Sequence, residues 1–334
     1  MNVAVLGAGA WGTTVASLLA VGNDTTVWSH EAEVVDEITL HQRNPMYLPD
    51  IELCPSLRAT ADLQTALQAA DMVVFAVPSR YFRAVVERAR PDVPTDADLV
   101  SVTKGIELET GFRMSEVLID VLDHDPDRVC VLSGPNLAKE VALGQPSATV
   151  LACSDAARAE RLRQAFTTES FRAFTNSDVI GCEVAGAVKN VIAIAAGIGD
   201  GLGYGWNTKA ALITRGLAEI ARLGVAMGAQ PITFLGLAGN GDLTATCSSP
   251  QSRNQHLGEE LGRGRSLSDI TADMLTVAEG VSSTPAIAAL AQRLGVPMPI
   301  TRKVEAVLNG SLSARAAVDQ LMQFEPGAEL EDIH

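Results

Sequence analysis

The chain opens on Asn2-Val-Ala-Val-Leu-Gly7-Ala-Gly9-Ala-Trp-Gly12, where a short valine-rich run breaks into three glycines and then into a helical pattern from Trp11 to Ala20. An apolar run of this length bounded by glycine reads as a buried strand. Each glycine has a separate purpose in such a unit. Gly7 permits the tight turn, Gly9 lets backbone approach a pyrophosphate, and Gly12 allows the helix to pack closely on the strand. The helix N-terminus then offers free amides and the positive end of its dipole to an anion. The opening therefore predicts a dinucleotide-binding fold.

Working outward, strand-like runs at Val3 to Leu6, Thr25 to Trp28, Met72 to Val77, Leu99 to Thr103, Val129 to Leu132 and Ala148 to Ala152 alternate with helical patterns. Such alternation predicts a Rossmann-type, doubly wound α/β sheet of mostly parallel strands. After Asn176 alanine, leucine and glycine dominate, and the chain reads as all-α apart from a loop-rich stretch around Gly236 to Asn254. The boundary falls near residues 176 to 182. We therefore expect a dinucleotide-binding domain over 1–178 and a helical substrate domain over 179–334. The acidic tail, Glu325 to His334, is expected to fray.

The 334 residues, 47% hydrophobic and 19% charged, fit a soluble globular protein of two domains. No leader or membrane anchor is expected, because the apolar stretches are interrupted by glycine, lysine or aspartate and the N-terminus runs straight into a strand. Five scattered cysteines without metal-type spacing read as reduced thiols, so a cytoplasmic location and no metal are expected. A formal charge of −15 opposes binding to nucleic acid or anionic membranes.

The second strand ends at Trp28-Ser-His30, followed by Glu31, where a fold restricted to NAD usually places a carboxylate on the ribose hydroxyls. An imidazole at His30 tolerates a 2′-phosphate and a carboxylate at Glu31 repels one, which leaves NAD and NADP both open. Other strand ends carry Pro78-Ser79, Lys104-Gly105 and Ser133-Gly-Pro-Asn136, and ligands of such sheets bind beyond these carboxyl ends.

In the helical half, Lys189 stands inside the apolar run Val184-Ala-Gly-Ala-Val-Lys-Asn-Val-Ile-Ala-Ile-Ala-Ala-Gly-Ile-Gly199. Its helical neighbours Cys182, Ala185, Gly186, Ile192, Ala193 and Ala196 are mostly small and leave room for a ligand beside the ammonium. Burial lowers a lysine's pKa and suits it to proton transfer. The alternative is a structural lysine that snorkels to water or pairs with a carboxylate such as Glu183.

Read with its surroundings, Gly186 to Asn207 closely resembles the signature of NAD(P)-dependent glycerol-3-phosphate dehydrogenases. Gly7 to Gly12, Val77-Pro-Ser79, Thr103-Lys-Gly105, Ser133-Gly-Pro135, Thr208 to Ala218, Gly236-Leu-Ala-Gly-Asn-Gly-Asp-Leu243, Gln251-Ser-Arg-Asn254 and Ala278-Glu-Gly280 follow the family's order over most of the chain. The resemblance implies interconversion of sn-glycerol 3-phosphate and dihydroxyacetone phosphate with a nicotinamide cofactor, feeding glycerophospholipid synthesis, in a homodimer. It makes Lys189 the general acid and base, with Lys104 touching cofactor and substrate and Asp242 orienting Lys189 or binding a hydroxyl. Ser252, Arg253 and Asn254 would anchor the substrate phosphate, with Gly134 and Asn136 also touching substrate. Gly7, Gly9, Ala10, Trp11, Gly12, His30, Lys104, Ala138, Arg253, Val277 and Glu279 would line the cofactor site. The chain departs from the family at Ala10, Asn136-Leu137, Trp206 and Asn240, and keeps Lys104, Lys189, Asp242, Arg253 and Asn254. The competing readings are a related two-domain hydroxy-acid dehydrogenase, with a carboxylate near Arg253, and a nicotinamide-binding sensor without turnover.

Overall fold

The computed structural model describes residues 1–274 and 278–323, so Val277 and the acidic tail lie outside the described residues. Two compact units form: Met1–Thr103 with Met114–Val179, and Lys104–Arg113 with the described part of Ile180–His334. The segment Lys104–Arg113 thus belongs with residues that follow it by some seventy positions or more, although the expected first domain ran unbroken to residue 178.

In the first unit the strands are β1 (Asn2–Leu6), β2 (Asp24–Trp28), β3 (Arg43–Asn44), β4 (Leu48–Glu52), β5 (Arg58–Thr60), β6 (Met72–Phe75), β7 (Asp98–Ser101), β8 (Val129–Ser133), β9 (Ser147–Ala152) and β10 (Phe171–Asn176). Eight form one sheet in the order β10-β9-β8-β7-β6-β1-β2-β5, and β3 and β4 make a separate antiparallel pair. From β8 to β5 the neighbours are parallel, as expected of strands joined by crossover helices. Strand β9 is the exception and pairs antiparallel with β8, while β10 follows β9 in parallel. Only the five-residue helix Ala138–Ala142 separates β8 from β9. Strands β5 and β10 were not anticipated, because β5 has three residues and β10 mixes exposed polar side chains into its alternation.

The chain order reverses at β1, which lies between β2 and β6. Ligands of open α/β sheets sit at such a switch point. Val3, Val5, Val27, Val74 and Val100 form the strand side of the core there, and Val15 and Leu19 of the helix Ala10–Ala20 pack against them.

The second unit is built around the helix Val179–Gly201, in which every residue from Gly181 to Gly199 is buried. By length and composition this helix could cross a membrane, yet 89% of its apolar window is buried. It is the core helix of that unit. The helices Trp206–Ala226, Arg253–Gly262 and Glu279–Arg293 supply the residues packed around it. Glycines set the spacing: a Cβ on Gly197 would come 2.0 Å from the Gln255 carbonyl oxygen, and one on Gly258 would come 2.0 Å from that of Ile194. The two backbones touch there, so Gly197 and Gly258 serve helix contact. The stretch expected to be loop-rich is instead largely helical, with a π-helical turn at Leu237–Gly241 followed by the helices Asp242–Ser248 and Arg253–Gly262.

Candidate active site

In the first unit, Gly7 has φ +112, and its amide bonds to the carbonyl of Trp28 at 3.0 Å. A side chain there would be strained in its backbone and would meet the Ala76 carbonyl oxygen at 2.8 Å. A Cβ on Gly12 would lie 2.0 Å from the Gly7 carbonyl oxygen, whereas nothing lies within 4 Å of the corresponding point on Gly9. The turn is therefore closed on the sheet side and open over Gly9. The helix Ala10–Ala20 has Gly9 as its N-cap, no side chain capping its amides and no acidic residue in its first turn. Free amides beside an open glycine fit a dinucleotide pyrophosphate. Trp11 Nε1 and Asn136 Oδ1 are buried and have no hydrogen-bond partner among the described residues. Gly134 has φ +154 and presses on Thr149, whose hydroxyl accepts from Asn136 Nδ2 at 3.0 Å. Ala138 begins the helix Ala138–Ala142, and its carbonyl accepts from the Thr14 hydroxyl at 3.2 Å.

Beyond β2, the His30 side chain is exposed and its Nδ1 lies 3.4 Å from Glu31 Oε2. Glu31 accepts from the Ser29 hydroxyl at 2.6 Å on one oxygen and from the Tyr47 hydroxyl at 2.6 Å on the other. Burial alone would raise the Glu31 carboxyl, but the bonds from Ser29 and Tyr47, with His30 nearby, outweigh it and hold the pKa below the ordinary value. Burial and the same carboxylate push Tyr47 up to about 12.

In the second unit, Lys189 Nζ donates to Asp242 Oδ1 at 2.5 Å and to the Thr246 hydroxyl at 2.6 Å. Lys104 Nζ donates to the other oxygen, Asp242 Oδ2, at 2.6 Å. One carboxylate thus bridges two ammonium groups. Asp242 is 1% exposed and Lys189 6%, so the cluster is nearly dry. Asp242 opens its helix directly after the π-helical turn, where Gly239 lets the chain pass the Phe234 backbone. Thr246 stands one helical turn later and also bonds to the Asp242 carbonyl at 2.7 Å. Lys104 is lowered to about 8: burial is the main cause, Asp242 opposes it, and the like charge of Lys189 adds to it.

The pairing of Lys189 with Glu183, held open above, does not occur. Glu183 instead bonds to Arg113 at 2.5 Å with both side chains nearly buried. That ion pair ties Lys104–Arg113 to the core helix three residues into its buried stretch, and Arg293 donates to the Thr110 carbonyl at 3.2 Å.

Ser252 caps the helix Arg253–Gly262 by accepting from the Gln255 amide at 3.2 Å, so its side chain has a structural task whatever else it binds. Arg253 is exposed at the first helical position. Surrounding protein lowers its pKa and the Glu279 carboxylate opposes this, and a guanidinium remains cationic in any case. Asn254 Nδ2 donates to Asn190 Oδ1 at 3.1 Å, and Asn254 Oδ1 accepts from the Gly280 amide at 2.9 Å. Of the residues predicted around Lys189, Lys104 and Asp242 are thus bonded into one framework with it, and Asn254 is bonded to its neighbour Asn190. Sequence reading did not single out Thr246 or Asn190 as site residues. The Asp-x-x-x-Thr spacing on one helix face was the available signal for Thr246.

Two family profiles cover most of the chain: one described as NAD-dependent glycerol-3-phosphate dehydrogenase N-terminus matches residues 2–159, and one described as the C-terminus of the same enzyme matches residues 178–319. A glycerol-3-phosphate dehydrogenase named for NAD(P)+ from Corynebacterium aurimucosum is 52% identical over 98% of this chain and 99% of its own. One from Mycobacterium tuberculosis is 51% identical over 96% of each. The crystal structure of glycerol-3-phosphate dehydrogenase from Coxiella burnetii superposes with a TM-score of 0.92 at 38% identity, covering 96% of this chain and 98% of that one.

Proposed function

The chain belongs to the NAD-dependent glycerol-3-phosphate dehydrogenase family, and we propose that it interconverts sn-glycerol 3-phosphate and dihydroxyacetone phosphate with NAD or NADP, supplying glycerol 3-phosphate for glycerophospholipid synthesis. The observation that carries this reading is the buried Lys104–Asp242–Lys189 cluster. When bound, the nicotinamide accepts or donates the hydride. Lys189 Nζ takes the C2 hydroxyl proton in oxidation and returns it to the developing alkoxide in reduction. Two ammoniums and one carboxylate carry a net positive charge in a dry site. Loss of one proton leaves the cluster neutral, which burial favours. Asp242 keeps whichever ammonium remains in place, and Thr246 fixes the direction of Lys189.

Arg253, exposed and permanently charged, suits the substrate phosphate, aided by Asn254 and the Ser252 backbone end of its helix. Gly134 and Asn136 contribute substrate contacts in the same reading. The turn Gly7, Gly9 and Gly12 with Ala10, Trp11, His30 and Ala138 holds the dinucleotide in the same reading. In this reading the unit Met1–Thr103 with Met114–Val179 serves the cofactor, and the unit that contains Lys104 and Lys189 serves the substrate. Five free thiols, four of them buried, support a reducing, cytoplasmic setting, and the family resemblance supports a homodimer.

The test is reduction of dihydroxyacetone phosphate by the purified protein with NADH and NADPH in parallel, beside simple 2-oxo acids. Turnover of the phosphorylated ketone is expected. Preference for an unphosphorylated oxo acid, or no turnover with either cofactor, would overturn the reading.

A further inference from the structure

We propose that Glu31, held from both sides by Ser29 and Tyr47, makes this protein select NAD over NADP. The inference rests on the dehydrogenase reading above and adds the cofactor preference that this reading leaves open.

The location follows from the sheet. Leu6 of β1 pairs with Trp28 of β2, and the Gly7 amide bonds to the Trp28 carbonyl. Ser29 to Glu31 therefore emerge beside the glycine turn. A pyrophosphate seated on that turn directs the adenosine ribose toward the end of the second strand, where a carboxylate about 20 residues beyond the glycines receives the 2′-hydroxyl.

A second chain of bonds fixes the carboxylate to the same turn. Asn44, fully buried, donates to the Ala8 carbonyl and to the Thr13 hydroxyl, both at 2.9 Å. Its own carbonyl oxygen accepts from the Tyr47 amide at 3.3 Å, and the Tyr47 hydroxyl reaches Glu31 Oε1. Ala8, Asn44, Tyr47 and Glu31 thus form one connected line from the phosphate turn to the carboxylate. Each Glu31 oxygen takes one of these donors and retains a lone pair for a ribose hydroxyl.

The charge logic is one-sided. A ribose 2′-hydroxyl can donate to Glu31, whereas a 2′-phosphate brings a second anion against a carboxylate that cannot swing aside without losing two bonds. Neighbouring arginines have other partners: Arg43 bonds to Glu37 at 2.9 Å, Arg58 pairs with Asp24, and the Arg88 guanidinium lies over the Trp28 ring, 5.6 Å from its centroid. His30, the basic residue next to it in sequence, lies against Glu31 itself. Tyr47 is a positioning residue here.

The experiment is an equilibrium titration of the protein with NADH and with NADPH, followed by tryptophan fluorescence, for the natural chain, Glu31→Gln and Tyr47→Phe, beside kcat and KM for both cofactors. The natural chain should bind NADH on the order of tenfold or more tighter than NADPH. Glu31→Gln should narrow the ratio mainly by tightening NADPH, and Tyr47→Phe should narrow it less, through KM rather than kcat. Equal or tighter NADPH binding by the natural chain would overturn the proposal, as would an unchanged ratio in Glu31→Gln. Should that variant not fold, an unchanged ratio in Tyr47→Phe has the same force. Selective NADH binding without turnover of dihydroxyacetone phosphate would sink the reaction assigned above and leave the selectivity of Glu31 supported.

Discussion

Lys189 illustrates how a residue acquires chemistry from its partners. In the sequence it is a lone charge in an apolar helix, and a structural pairing with Glu183 explained it as well as catalysis did. In the folded unit its ammonium bonds to Asp242 and Thr246, and a second lysine holds the far oxygen of the same carboxylate. Replacing Lys189 with alanine should lower kcat by about 10²–10⁴-fold while NADH binding, measured by titration, persists. Near-normal turnover would remove the lysine from its proton-transfer role. Asp242→Asn removes the carboxylate that opposes the lowering of Lys104, so Lys104 should lose its proton more readily. The limb of the kcat–pH profile that requires a neutral lysine should then move to lower pH than in the natural enzyme. A limb that stays in place or moves up would show that Asp242 does not govern the pair.

At the scale of elements, two features of the helical unit make separate predictions. Glu219, buried in the helix Trp206–Ala226, accepts from the Ile300 amide at 2.6 Å and the Thr301 amide at 3.2 Å, capping the helix Pro299–Leu308. Burial raises its pKa to about 7 against the opposing bonds and Arg222. Because the folded value lies above the ordinary one near 4.5, the stabilisation tied to its proton is full below that ordinary value and is lost as pH rises through about 7. Melting temperatures of the natural chain and Glu219→Gln should therefore differ in a pH-dependent way, with the natural chain relatively most stable near pH 5 and relatively least near pH 8. A constant difference across that range would exclude the linkage. The contact of the helices Val179–Gly201 and Arg253–Gly262 is backbone on backbone, so the methyl of Gly258→Ala has no flexible atom to displace. We expect a loss of about 1–3 kcal/mol or more in urea unfolding, with activity falling too because Arg253 and Asn254 ride on the displaced helix. An unchanged midpoint would contradict the close approach.

Across the whole chain, the cluster joins residues separated by 138 positions for Lys104 and Asp242 and by 53 for Lys189 and Asp242. Ordering such distant segments is entropically costly, and the buried Arg113–Glu183 pair is one tether of the Lys104 segment to the core helix. Arg113→Ala removes the guanidinium that faces a buried carboxylate, so a loss of about 3–5 kcal/mol is expected. Turnover should fall with it in enzyme that is still folded, because Lys104 loses its anchor. Normal turnover at temperatures well below the lowered melting point would show that Lys104 is held by other means.

The sequence by itself determined the two kinds of fold and the reaction class. Strand and helix periodicities are local and repeat along the chain, and Gly7, Gly9 and Gly12 answer to steric demands that three residues can state. The family order of Lys104, Lys189, Asp242 and Arg253 then named the chemistry. Only tertiary structure decided which carboxylate meets Lys189, that Lys104–Arg113 belongs to the second unit, that β9 runs against its neighbour, and that Tyr47 locks Glu31. Each of these depends on a contact between residues far apart in the chain, and periodicity and spacing carry no record of such pairings. The ambiguity at His30 and Glu31 was of the same kind, since two adjacent side chains of opposite character can be ranked only by the bonds that fix one and leave the other in solvent.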